Sequence, residues 1–385
     1  MAKDKKLILL AGGGSGGHIY PLVAVCEGLK KLAFKAGFDL EFHYLGRVDV
    51  FSAVLFDVQG VQMHSLWVAK LRRYFSLANI FDLPKFFLSI FQALWKVYWI
   101  MPDVIFSKGG SGALPVVLAG WFYRIPILIH ESDAAPGVTN ILSAKFAKKV
   151  AVGFERATNY FDSRKVSWTG NPIRGDLLGE RYLQSAAKEE LGFKGGEFLT
   201  LILGGSQGSK RINEFILGNL EKITKETQVL HQTGAENFFE VKKLSRAAMF
   251  GVSLKEELEH RYHPIPYLNK ELKGAFIAAD LVVARAGGGT IFEIAAFGKP
   301  AILIPLDESA NDHQRVNALE FTKAGGGIII EEENLLSGIF LGQLKEILGN
   351  HSLLEKMSSA SAGFLKPDAA EKIAVEIFSL LGFES

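Results

Sequence analysis

The chain contains a single cysteine, Cys26, among 385 residues. That excludes an internal disulfide framework and fits a reducing compartment. Within the first predicted helix the thiol reads as core filler. Long hydrophobic runs are also missing: none reaches the ~18 to 20 apolar residues that a membrane span requires. The formal net charge is only +2, so no global field points to nucleic acid. There is no His-x-x-x-His pair, cysteine cluster or Asp-x-Asp signature. Metal chemistry is therefore without support, and no cofactor is expected. Low-complexity tracts and short-period repeats are absent as well.

What is present describes a folded protein. Apolar residues make up 48% and charged residues 22% of the chain, and the length suits two domains better than one. The charged stretch 1–6 is followed by Leu7-Ile8-Leu9-Leu10-Ala11. This run ends in glycines instead of a cleavage site, so it reads as a first strand and not as a signal peptide. It enters Gly12-Gly13-Gly14-Ser15-Gly16-Gly17, and in the second half Leu199-Thr200-Leu201-Ile202-Leu203 enters Gly204-Gly205-Ser206-Gln207-Gly208. A buried parallel strand reads as a short continuous apolar run. Glycines right after it let backbone N–H groups approach an anion at the start of the next helix. Further apolar runs at 40–45, 104–106, 125–129, 150–152, 229–231, 281–284 and 301–304 alternate with helical segments, a βαβα rhythm. The expectation is an α/β protein of two Rossmann-like domains whose parallel sheets face each other across a cleft. Thr169-Gly170-Asn171-Pro172 punctuates the chain as a hinge. The expected domains are 1–168 and 169–365, with a C-terminal helix in 366–385 that packs back toward the N-terminal domain.

Each glycine loop carries candidate chemistry. Gly12-x-Gly14-x-x-Gly17 formally matches a dinucleotide fingerprint. The second strand, however, ends at Gly46-Arg47 without the acid that holds a ribose, which removes most of the NAD reading. Gly13-x-Ser15-x-Gly17 also matches a nucleophile elbow, but an elbow sits mid-sheet and this loop follows the first strand. His18 comes next, at a helix N-terminus whose positive end disfavours imidazolium, so it should be neutral at pH 7. Either it takes a proton from a hydroxyl nucleophile or it only hydrogen-bonds a substrate. The second loop fails the P-loop test, since Ser209 and not glycine precedes Lys210. Ser206 would offer its hydroxyl and neighbouring N–H groups to a pyrophosphate. Arg174 either neutralises that charge on departure or forms an interdomain salt bridge. A third loop, Ala286-Gly287-Gly288-Gly289-Thr290, precedes Glu293, whose carboxylate suits a vicinal diol such as a ribose. Asn311-Asp312-His313-Gln314 opens another helix, with Asn317 one turn on, and amide side chains suit sugar hydroxyls.

Residues 86–101 carry one charge, Lys96, amid bulky apolar and aromatic residues, with Lys70, Arg72 and Arg73 upstream. Two readings stand: a fully buried crossover helix, or an interfacial surface whose aromatics enter a bilayer boundary while cations meet anionic lipid.

Taken together, these residues resemble the MurG family of peptidoglycan glycosyltransferases over nearly the whole chain. The likeness rests on Gly12 to His18 with Pro21; Lys108-Gly109-Gly110; His130-Glu131 with Pro136-Gly137 and Asn140; and Gly170-Asn171-Pro172-Ile173-Arg174. It continues through Gly204 to Gly208 with Asn213, Arg285-Ala286-Gly287 through Glu293, and His313-Gln314 with Asn317. The resemblance implies a GT-B type fold and an inverting, metal-independent transfer of N-acetylglucosamine from UDP-N-acetylglucosamine. The implied acceptor is the C4 hydroxyl of the lipid-linked N-acetylmuramoyl-peptide (lipid I), giving lipid II. It further implies that Ser206 and Arg174 serve the phosphates, Glu293 the ribose, Gln314 the sugar and the backbone near Leu268 the uracil. Ser15, Gly16, Gly17 and His18 line the sugar and acceptor side, with His18 or Glu131 assisting proton removal. Gln207, Gly288, Gly289, Thr290, His313, Asn140 and Asp133 complete the implied substrate-binding set. The implied location is peripheral, on the cytoplasmic face of the membrane, with Arg72, Arg73 and 86–101 docking there, in a possible cell-wall synthesis complex. Three departures from the common pattern stand out: Ser132-Asp133 after His130-Glu131, Ser111 in place of an aromatic, and one extra residue between Tyr267 and Leu272. The last makes the uracil contact Leu268 or Asn269. A transferase acting on another lipid, a UDP-sugar epimerase and a non-enzymatic scaffold are the rivals.

Overall fold

A computed structural model describes residues 5–14, 16–68, 78–110, 112–205, 207–248, 260–307 and 310–383. The chain divides into two compact units, Met1–Gly175 with Lys366–Ser385, and Asp176–Leu365.

The first unit is built on strands β1 (Lys5–Gly12), β2 (Asp39–Gly46), β3 (Gln62–Ser65), β4 (Val104–Ser107), β5 (Ile127–Glu131), β6 (Lys149–Val152) and β7 (Val166–Trp168). All pair in parallel, in the order β3-β2-β1-β4-β5-β6-β7. Alternate side chains of β1 feed opposite faces: Ile8 and Leu10 enter one core cluster, Leu9 and Ala11 the other. Both faces are covered, which is why the strand reads as an unbroken apolar run.

In the second unit β8 (Leu199–Leu203), β9 (Gln228–Gln232), β10 (Tyr262–Ile265), β11 (Leu281–Ala284), β12 (Ala301–Leu303) and β13 (Gly327–Ile329) form a parallel sheet in the order β10-β9-β8-β11-β12-β13. The two parallel-sheet α/β units agree with the expected fold class. In both sheets the order reverses direction beside the first strand, between β1 and β4 and between β8 and β11. Ligands of open α/β sheets bind beyond the carboxyl ends of the strands at such a reversal.

The four strands that the apolar runs singled out above do not cover, β3, β7, β10 and β13, are the four sheet edges. Their residues are mostly half-exposed, and β10 carries Pro264, which an edge tolerates because one side of its backbone needs no donor. Strand β5 begins at Ile127 instead of 125. The Ile125 N–H still closes the preceding helix on Gly120 O at 2.9 Å.

The helix Ala369–Leu380 belongs to the first unit. Ile373, Ala374, Ile377 and Phe378 enter the same core cluster as Ile8 and Leu22. It crosses the helix Gly16–Ala36 closely, and a Cβ on Gly28 would stand 3.2 Å from Ala370 O. Thr169 to Gly175, which includes the expected hinge, also lies in the first unit. Gly170, with φ of +88°, lies against the returning chain, where a Cβ would stand 2.5 Å from Lys366 Cβ.

The helix Ala78–Ile100 corrects the buried-crossover reading. Small residues face inward: Ser89, Ala93 and Val97 are buried. The large ones face outward: Phe87, Phe91, Trp95 and Trp99 follow each other at four-residue spacing and are 55%, 67%, 65% and 68% exposed. Trp121 and Phe122, at the end of the neighbouring helix Ala113–Phe122, are exposed too. The helix is thus apolar on its outward face as well as on the face that joins the core. Among the described residues no helix is long and apolar enough to cross a membrane. Lys70, Arg72 and Arg73 lie outside the described residues.

Candidate functional site

In the first unit, two glycine-bearing loops meet at the sheet reversal. The Lys108 N–H donates to Ala11 O at 2.8 Å, which sets the loop after β4 beside the loop after β1. Gly109 and Gly110 adopt φ of +81° and +88°, and a Cβ on Gly110 would stand 2.9 Å from Gly13 Cα and 3.3 Å from His18 Nε2. Gly13 closes the other side, its Cβ position 3.0 Å from His18 Nδ1. The imidazole is therefore held between two glycines, with part of its surface open. Burial, then the charge of Lys108, lowers the pKa of His18 to about 4 against the opposing pull of Asp133. The ring is neutral at pH 7, as its place at a helix start suggested.

Glu131 ends β5 and is buried. One carboxylate oxygen accepts from Asp133 N at 2.9 Å; the other accepts from Gly137 N at 3.1 Å and Asn140 Nδ2 at 3.0 Å. Burial and the charge of Asp133 push its carboxyl above the usual range, with Lys108 opposing. These bonds make Glu131 the clamp of the 131–137 turn. Asn140 belongs to the same clamp, and its Nδ2 also donates to His130 O.

The second unit holds a cavity of about 480 Å³ beyond the carboxyl ends of β8, β11 and β12. Its floor is the Gly204–Gly208 turn, where Gly205 and Gly208 take φ of +87° and +77°. A Cβ on Gly208 would collide with Thr233 O, so this loop can lie against the one after β9 only as glycine. Ser209 then caps the helix Lys210–Gly218 through Ile212 N. Lys210 and Arg211 occupy its first turn, where cations are unfavourable with the helix dipole unless an anion sits there. Arg285 is the third cation. Its guanidinium donates to Ser209 Oγ at 2.8 Å, to Ile304 O and Pro305 O at 3.2 Å, and to Glu332 Oε1 at 2.6 Å. A single side chain thus joins the ends of β8, β11 and β12. Gln207, Thr290 and Gln314 also line the cavity, and Gln314 Oε1 accepts from Leu306 N at 3.1 Å. Glycine turn, helix start and three cations against one carboxylate have the chemistry that suits an anion such as a diphosphate.

Residues 8–152 match the model of the glycosyltransferase family 28 N-terminal domain, and residues 199–373 that of its C-terminal domain. A Clostridium botulinum (strain Hall) protein named UDP-N-acetylglucosamine--N-acetylmuramyl-(pentapeptide) pyrophosphoryl-undecaprenol N-acetylglucosamine transferase is 34% identical over 351 residues, 90% of this chain and 92% of that one. The chain belongs to the MurG family of glycosyltransferases. A Clostridium kluyveri member with the same name is 34% identical over 373 residues, 96% of this chain and 98% of its own. The crystal structure of Acinetobacter baumannii MurG superposes with a TM-score of 0.70 at 23% identity, covering 97% of this chain and 99% of that one. The fold is shared more widely. A Neisseria meningitidis UDP-GlcNAc 2-epimerase bound to UDP-GlcNAc gives 0.67 at 15% identity, covering 97% and 100%.

Of the residues that the MurG resemblance singled out, the cavity gathers Gln207, Thr290 and Gln314. Gly288, Gly289 and Glu293 share the helix Gly288–Phe297 with Thr290 but stand outside the lining, as do His313 and Leu268. The Leu268 N–H donates to Gln232 Oε1 at 3.0 Å, and Gln232 Nε2 donates to Gly205 O at 2.9 Å. Gly16 and Gly17 open the helix that carries His18. Ser15, Ser111 and Ser206 lie outside the described residues. Arg174 lies in the first unit, its guanidinium 4.4 Å over the Tyr20 ring, and the arginine that lines the cavity is Arg285. Sequence reasoning also passed over Glu332, Gln232 and Lys108. Arg285 sits in the quoted motif, but its partners are 76 and 47 residues away.

Proposed function

We propose that this glycosyltransferase moves N-acetylglucosamine from UDP-N-acetylglucosamine to the C4 hydroxyl of lipid I. The cationic cavity at the reversal of the second sheet supports this reading most directly, because it suits the diphosphate of a nucleotide sugar. Glu293 would hold the ribose and Gln314 the sugar, with the 204–208 loop, Lys210 and Arg211 on the phosphates. In the transfer, the acceptor oxygen forms a bond to the anomeric carbon as the bond from that carbon to the UDP oxygen breaks, inverting the centre. His18 takes the hydroxyl proton, and the helix start at Ser209 receives the charge that develops on UDP.

Purified protein should therefore transfer labelled N-acetylglucosamine to a lipid I analogue and leave the donor intact when acceptor is omitted. Donor turnover without acceptor would make it an epimerase; UDP binding with no transfer to lipid I would end the proposal.

The acceptor is lipid-linked, and the outward aromatic stripe of the helix Ala78–Ile100 gives the first unit a way to sit on the cytoplasmic membrane face. Aromatic residues at such a boundary bury apolar area among headgroups and acyl chains. Replacing Phe87 and Trp95 by serine should weaken binding to vesicles of phosphatidylglycerol and phosphatidylethanolamine by about tenfold or more. The melting temperature should hold, because both side chains are more than half exposed. Unchanged vesicle binding would remove the stripe from the membrane contact.

A further inference from the structure

The turn that floors the cavity of the second unit is held by one buried amide. Gln232 ends β9, is 5% exposed and does not line the cavity. Its Nε2 donates to Gly205 O at 2.9 Å, and its Oε1 accepts from Leu268 N at 3.0 Å. Only this orientation of the amide sets a donor against the carbonyl and an acceptor against the N–H. Gly205 lines the cavity, and its carbonyl oxygen also accepts from Gly208 N at 3.0 Å. Both of its lone pairs are then engaged. The loop after β9 is fixed in turn. Thr233 N donates to Ile265 O at 2.9 Å, while Thr233 O accepts from Asn213 Nδ2 at 3.0 Å and Asn237 Nδ2 at 3.2 Å. A Cβ on Gly234 would collide with Gln207 O, so the two loops pack backbone against backbone.

We propose that Gln232 is a positioning residue for the donor diphosphate: its amide holds the Gly205 carbonyl within the turn, which then offers an anion N–H groups and not an oxygen. The inference rests on the cavity taking the diphosphate of a nucleotide sugar. A peptide carries its partial negative charge on the oxygen, and an unpartnered oxygen at the cavity floor would repel a phosphate. The bond from Gly208 is local to the turn and moves with it. The bond from Gln232 ties the same oxygen to the end of β9, an interior strand and so the more rigid support. At the far end of the amide, the Leu268 N–H keeps it from rotating away.

The test compares UDP binding, followed by calorimetry on the full-length protein, with uridine binding, followed by NMR. Gln232→Met is close in length but makes neither hydrogen bond. It should weaken UDP about tenfold and uridine by less than about threefold, since only UDP carries the phosphates that the turn receives. Gln232→Glu keeps an acceptor for the Leu268 N–H, which guards against a folding defect, but sets an oxygen against Gly205 O. At about pH 8 it should weaken UDP at least as much as methionine does. UDP affinity within about twofold of wild type in the methionine variant overturns the proposal, and the glutamate variant decides if methionine does not fold. An equal loss for UDP and uridine also overturns it, by marking a general packing effect. A wild type that bound UDP no more tightly than uridine would end the diphosphate reading of the cavity and this inference with it. A wild type that prefers UDP, matched by its variants, would remove Gln232 alone.

Discussion

His18→Ala should lower kcat by about 10²- to 10⁴-fold, the usual worth of a positioned general base, while UDP-N-acetylglucosamine binding stays within about threefold. The ring sits at the reversal of the first sheet, and the cavity that would hold the diphosphate belongs to the other unit, so its loss should fall on the chemical step. Its neutrality sets the pH dependence. An unperturbed imidazole becomes half protonated near 6.5, whereas His18 does so at about 4. The wild-type rate should therefore stay level from pH 7 to about 5 and fall only as His18 gains its proton. A weaker base has less driving force for proton transfer, and the opposing pull of Asp133 limits that loss. Pre-steady-state and steady-state transfer assays across this range would check both points. A rise in KM with kcat unchanged would reduce His18 to a binding contact.

Arg285→Met should destabilise the second unit by about 1 to 3 kcal/mol, because it takes the ion-pair partner from the half-buried Glu332 carboxylate. For a unit of this size that corresponds to a fall of roughly 5 °C in melting temperature. UDP affinity should drop along with it. Arg285 ties Ser209 to Ile304 and Pro305, so without it the helix cap and the loop after β12 lose their common support. Lysine should not restore the wild type, since one ammonium cannot span the partners that a planar guanidinium reaches. Glu332→Gln in the Arg285→Met background should recover part of the stability. If UDP binding vanished while the melting temperature held, Arg285 would instead be a direct phosphate ligand.

The interior of both sheets was legible because parallel strands covered on two faces leave a signature of unbroken apolar residues, as at 7–11 and 199–203. Edges such as Gln62–Ser65 carry mixed residues and leave no such trace. Glycine loops were legible for a related reason: positive φ at Gly110, Gly205 and Gly208 admits little else. The candidate site was harder. His18, Thr290 and Gln314 lie next to recognisable loops, so position along the chain was enough. Arg285 and Glu332 matter through each other, and nothing local to either residue announces a partner 47 residues away. Lys108 looked like one residue of a glycine motif until Ser132, 24 residues on, was found beneath its ammonium. The stretch 86–101 could not be resolved by composition, since it is apolar on all sides. Only the packing shows that Ser89, Ala93 and Val97 turn inward and the aromatics do not.

The helix Ala369–Leu380 has a consequence for how the protein is made. Ile373, Ile377 and Phe378 finish a core whose first strand is Lys5–Gly12. A ribosome adds about 5 to 20 residues each second, so the opening half must wait through the synthesis of the whole second unit before its last apolar surface is covered. During that interval the exposed patch on Gly16–Ala36 is a natural target for a chaperone. Truncation near residue 365 would leave the nascent first unit permanently in that waiting state, even though no residue of its sheet had been removed.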